Sequence, residues 1–112
     1  MHVSFLKQAN YGSGSTGAEL AIPSGATTPL VLTVPTALNG MDAFRLVVST
    51  ESSATQTVYV LPATGDNRSS ALRVAPGQVF ETYTFNRDQV PRLYATGAVT
   101  AFVTFLGVGN EV

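Results

Sequence analysis

The sequence contains no cysteine and no tryptophan, a single histidine, and only 12% charged residues. Without cysteine there are no disulfides, no thiolate nucleophile and no Cys-based zinc site, so the fold must hold by packing alone. The one imidazole, His2, lies next to the chain start, where side chains usually lack a rigid frame; it reads as an exposed terminal residue, not as part of a triad or a metal site. Six Lys and Arg against seven Asp and Glu leave a net charge of −1, with no basic excess to neutralise phosphates. Direct nucleic-acid binding is therefore not expected. No stretch reaches the roughly 18–20 apolar residues of a membrane helix, since Thr100 and Thr104 interrupt even residues 98–108. The first residues also lack the basic start and apolar run of a signal peptide, so synthesis in the cytoplasm without export or membrane insertion is the expectation. The charged fraction is about half of the roughly 25% in an average soluble domain, which implies that something other than water covers part of the surface.

What remains is a chain of 112 residues, 45% hydrophobic, the length of one domain with enough apolar material to fold. Thr, Val, Ala, Gly and Ser dominate, and helical periodicity is scarce. Short β-type runs occur at 3–8, 19–22, 30–34, 44–49, 57–61, 71–74, 79–85, 93–96 and 99–107. Turn signals such as Asn39-Gly40, Thr64-Gly65-Asp66-Asn67, Pro76-Gly77 and Thr96-Gly97 separate them. This pattern predicts an all-β antiparallel sandwich or jelly roll of about eight strands. One helical turn is expected at 86–90, capped by Asn86 and stopped by Pro91. The Gly/Ser-rich segment 10–17 reads as a linker, with residues 1–8 as an N-terminal arm or, equally, as a strand of the same domain.

An antiparallel sheet normally buries one face and solvates the other, yet here the polar face is often missing. In 99–107, Val99, Ala101, Val103 and Phe105 point one way and Thr100, Phe102, Thr104 and Leu106 the other, so both sides carry large apolar groups. In 57–61 neither alternate set is charged, and in 79–85 the sequence does not reveal which side is core. A two-layer sandwich has one interior, so Phe102, Leu106 and Tyr59 are expected on faces covered by another subunit.

Catalytic patterns are absent. The seven carboxylates Glu19, Asp42, Glu51, Asp66, Glu81, Asp88 and Glu111 are scattered, with no spacing that argues for an acid/base pair. The run Gly12-Ser13-Gly14-Ser15-Thr16-Gly17 lacks the Gly-Lys-Ser/Thr ending and following helix of a phosphate loop. Asp66-Asn67 lacks the alternating acidic spacing of a calcium loop, and the sequon Asn67-Arg68-Ser69 carries no weight without export. Neither enzyme activity nor a metal or cofactor is expected. Arg87, Asp88 and Arg92, near Pro91 and Tyr94, are expected to pair with one another or across an interface, at only about 0–1 kcal/mol.

The phrases Leu72-Arg73-Val74-Ala75-Pro76-Gly77-Gln78, Val90-Pro91-Arg92-Leu93-Tyr94-Ala95-Thr96-Gly97 and Val99-Thr100-Ala101-Phe102-Val103-Thr104-Phe105-Leu106-Gly107 resemble the closing strands of small β-sandwich virion proteins of tailed bacteriophages. The likeness covers about the last 40 residues. It implies a capsid decoration, or cement, protein: a non-enzymatic subunit on the capsid surface that forms a trimer, or alternatively a dimer, and clamps neighbouring copies of the major capsid protein. The interface candidates are Val3, Phe5, Leu6, Tyr59, Tyr94, Phe102 and Leu106. Two alternatives are another head or tail component, such as a head fibre or head-completion protein, and a carbohydrate-binding module using Tyr11, Tyr59, Tyr83 and Tyr94.

Overall fold

The structure, a computed structural model, describes residues 3–12, 19–22, 29–65 and 72–111, without the side chains of 3–6 and 109–111. Its strands are β1 (Val3–Asn10), β2 (Glu19–Ile22), β3 (Ala43–Ser49), β4 (Val58–Leu61), β5 (Leu72–Val74), β6 (Val79–Glu81), β7 (Phe85–Asn86), β8 (Arg92–Ala95) and β9 (Val99–Glu111). All named pairings are antiparallel and form one six-stranded and one three-stranded sheet, as the all-β reading anticipates.

The large sheet is organised around β9. Along one edge its first residues pair with β2, Ile22 opposite Val99 and Glu19 opposite Phe102, and its later residues pair with β1, Asn10 opposite Thr104 and Leu6 opposite Val108. Along the other edge it pairs with β3 from Ser49–Phe102 to Ala43–Val108. Beyond β3 lie β6 and β7. The small sheet runs β5-β4-β8. Period-two alternation sends Ala101, Val103 and Phe105 of β9 and Phe44, Leu46 and Val48 of β3 inward. They meet Val58, Val60, Val74, Leu93 and Ala95 of the small sheet in one core. Full burial of each large side chain stabilises the fold by about 1.5–3 kcal/mol, which makes this layer the main source of stability in a chain without cross-links. At the inward-facing Gly107 a Cβ would run into Met41 Sδ, so the glycine makes room for Met41 and Leu38 to close that end of the core. In the segment Ala75-Pro76-Gly77-Gln78, Gln78 N–H donates to Ala75 O over 3.0 Å and Gly77 has φ +78°, the turn that Pro-Gly favours.

The predicted run 79–85 is broken by a bulge. Glu81 pairs with Val47 and Phe85 with Phe44, so residues 82–84 oppose only Arg45 and Leu46. The buried Thr82 repairs the ladder. Its backbone N–H donates to Leu46 O over 2.8 Å, its hydroxyl accepts Leu46 N–H over 2.9 Å, and that hydroxyl donates to Tyr83 O over 3.0 Å. The extra residue reverses the parity of the strand: Phe80 and Thr82 face inward before it and Phe85 after it, while Tyr83 is pushed outward. Unbroken alternation over 79–85 would put Val79, Glu81, Tyr83 and Phe85 on one side; the bulge separates Phe85 from the other three.

Two other expectations are corrected. Residues 30–34 do not form a strand: Leu30 alone bridges Leu93, with N–H···O distances of 2.7 and 3.1 Å, and Pro29 and Pro35 bracket the segment. Thr33 N–H donates to the Tyr11 hydroxyl at 3.3 Å, so a side chain takes the place of a ladder partner. The helical turn expected at 86–90 is a β-turn closed by Gln89 N–H to Asn86 O at 3.0 Å, and the helical turn that forms is a 3₁₀ turn at Thr36–Leu38, just after Pro35. Residues 3–10, where an arm was expected as readily as a strand, run as β1 against β9. Of the linker expected at 10–17, Asn10 ends β1 and Tyr11 N–H still donates to Val103 O over 2.9 Å, which corrects its start, while residues 13–17 lie outside the described residues.

Replacement of Thr82 by Val should leave Leu46 N–H buried and unpaired and lower the unfolding free energy by about 1–3 kcal/mol, measured by urea denaturation, while Thr82→Ser keeps most of it. Equal midpoints for the two variants would contradict the role given to the hydroxyl.

Candidate interaction surfaces

On the outward face of the large sheet the register builds rows running across the strands. The first row is Glu19, Phe102, Ser49 and Val79, and the second is Asn10, Thr104, Val47 and Glu81. The third begins Gln8, Leu106 and Arg45, and the fourth contains Val108, Ala43 and Asn86. Phe102, Val47, Leu106 and Val108 are half-buried by their neighbours, while Val79 at the sheet edge is 69% exposed. Besides Glu19, charge enters this face as one cross-strand group. Arg45 Nε donates to Thr84 Oγ1 at 2.9 Å, and Arg45 Nη1 lies 3.4 Å from Glu81 Oε1. Both side chains are nearly half exposed, so this pair orients Arg45 over the bulge more than it stabilises the fold.

The outward face of the small sheet carries one row, Arg73-Tyr59-Tyr94. Tyr59 and Tyr94 stack with centroids 4.8 Å apart and planes 11° from parallel, and the Arg73 guanidinium carbon lies 5.7 Å from the Tyr59 centroid. Since β5 and β8 flank β4 on opposite sides, Tyr59 is held between a cation and a second ring. Both of its faces are occupied, which removes the open ring face that sugar stacking requires. Tyr11 packs on Phe105 at 5.4 Å between centroids and is likewise engaged.

The other guanidinium groups serve the fold. Arg87 Nη2 donates to Leu38 O at 3.3 Å and Met41 O at 3.0 Å, with its carbon 5.2 Å from the Phe44 centroid, and so ties the 3₁₀ turn to the core. Arg92 donates to Pro62 O at 2.9 Å and to Gly65 O. The pairing expected within Arg87, Asp88 and Arg92 does not form, because backbone carbonyls left by the two turns take the donors. An open groove of about 330 Å³ at the start of β9 is lined by Glu19, Glu51, Ser53, Ala54, Val99, Thr100 and Phe102. A shallower one of about 200 Å³ includes Val31, Val90 and Arg92. Among the described residues no group of three or more His, Asp or Glu is placed to hold a metal, and no helix is long and apolar enough to cross a membrane.

The seven sequence-derived candidates therefore fall apart into groups. Phe102 and Leu106 share the large outer face, and Tyr59 and Tyr94 share the small one. Tyr94 is only 8% exposed, and its ring is used on Tyr59. Val3, Phe5 and Leu6 occupy β1 opposite Glu111, Gly109 and Val108, and their side chains lie outside the described residues. Sequence reasoning missed Arg73 and Val79 and had Tyr83 only as a sugar-stacking candidate, because the register of β5 against β4 and the bulge after β6 decide their exposure. No family model matches this sequence, and no curated protein or solved structure is found similar to it.

Two measurements check this description. A double-mutant cycle replacing Tyr59 and Tyr94 by Leu should return a coupling of about 0.5–1.5 kcal/mol from chemical denaturation, and zero coupling would remove the stack as a contributor. Glu81→Gln should cost under about 1 kcal/mol, since the partner is solvent-exposed.

Proposed function

We propose that this chain is a non-enzymatic assembly subunit of a virion, of the decoration type that its closing strands resemble, which self-associates and lies across the seams between coat subunits. The observation that carries the reading is the outer face of the large sheet. Phe102, Val47, Leu106 and Val108 stand where a lone sandwich would place polar residues, with Thr104, Ser49 and Arg45 between them. Such a face is apolar enough to gain from being covered and polar enough to stay soluble when uncovered, the composition of a non-obligate interface. The mechanism needs no chemistry. A subunit bridging a seam adds its own buried area to whatever must be exposed when the coat subunits separate, and symmetry repeats the gain at every equivalent seam. A contact of standard size buries on the order of 1,600 Å². A sugar-binding reading gains no support from Tyr11, Tyr59 and Tyr94, which pack against protein groups and leave only Tyr83 exposed.

Light scattering on the full chain after size exclusion should give a trimer, or failing that a dimer; a monomer at high concentration would contradict self-association. Co-sedimentation with DNA-free shells of the encoding phage should retain the chain, and the double variant Leu106→Ser, Val108→Ser should lower retention at least about tenfold while the oligomer persists. Unchanged retention would overturn the role of this face, and absence of shell binding by the unaltered chain would overturn the decoration reading.

A further inference from the structure

Arg73 differs from the other described arginines. Arg45, Arg87 and Arg92 spend donors on Glu81, Thr84 and backbone carbonyls, whereas Arg73 has no hydrogen bond or ion pair among the described residues and is held only by the face of Tyr59. A guanidinium stacked on an aromatic ring keeps its planar fork of donors in the direction that remains open. The Tyr59 and Tyr94 hydroxyls have no partner among the described residues either, and neither is a buried unpaired atom, so both tips reach solvent. The row thus offers donors over an aromatic base and lacks a carboxylate.

The groove at the start of β9 offers the converse. Glu19 and Glu51 line it with no cation paired to them among the described residues, together with the apolar Ala54, Val99 and Phe102. The groove opens at the end of the large sheet, whereas the Arg73 row lies on the outside of the small one, so one chain cannot bring its own two surfaces together. We propose that they meet between copies: the Arg73-Tyr59-Tyr94 row of one subunit seats in the Glu19/Glu51 groove of the next. The occupant is a second copy because the two surfaces match in charge and in apolar content, and one molecule carries both in equal number. Such a contact is head-to-tail, and it closes into a ring when each subunit is rotated by the same fraction of a turn, a third for the trimer. This inference rests on the self-association proposed above and specifies the surfaces that make it.

The test uses opposite charge reversals on the full chain, Arg73→Glu in one sample and Glu19→Lys with Glu51→Lys in another, read by analytical ultracentrifugation with thermal melts to confirm folding. Each alone should be monomeric where the unaltered chain is oligomeric, with the association constant down at least about tenfold. Mixed together they regain the native contact at one junction and a sign-reversed but complementary one at the other, so association should return, at least to a 1:1 dimer. Arg73→Lys, which keeps charge but loses the fork, should fall between. Variants that assemble like the unaltered chain, or a mixture that stays monomeric, would overturn this interface while leaving self-association standing. An unaltered chain that is itself monomeric would remove self-association and this contact with it.

Discussion

The structure depends on one strand being paired along both edges. With no cysteine, and with no metal cluster among the described residues, each backbone donor withdrawn from water needs a protein partner. β9 supplies them on both sides, to β2 and then β1 along one edge and to β3 along the other. Its inward residues Ala101, Val103 and Phe105 are fully buried, so the strand that closes the sheet is also the floor of the core. The same strand presents Phe102, Leu106 and Val108 to the outside. Stability and the proposed interaction surface therefore belong to alternate residues of one element, and the β-branched and aromatic content that makes it a good strand also makes its outer face worth covering.

Polar groups in this molecule are placed to hold geometry. Thr82 restores a hydrogen bond that the bulge removes, Arg87 clasps the carbonyls of the 3₁₀ turn, and Arg92 reaches Pro62 and Gly65. Among the charged side chains without such a partner in the described residues, Arg73 on one side and Glu19 and Glu51 on the other lie on the two surfaces proposed to meet between copies.

Composition and alternation determined much by themselves. Thr/Val-rich runs parted by Gly and Pro admit strands and little else, and the absence of Cys excludes disulfides and thiolate ligands. The two apolar sides of β9 were legible as well, since alternation within an uninterrupted strand needs only the sequence. Partner choice was not. Whether Leu30 begins a strand depends on what Leu93 and Tyr11 offer it, and which side of 79–85 is core depends on one extra residue opposite Arg45 and Leu46. The register of β5 on β4 and β4 on β8 alone puts Arg73, Tyr59 and Tyr94 in line, though they are far apart in the chain. Local patterns are set by each residue's own stereochemistry and polarity, whereas register is a property of two segments at once, and only the folded chain brings those segments together.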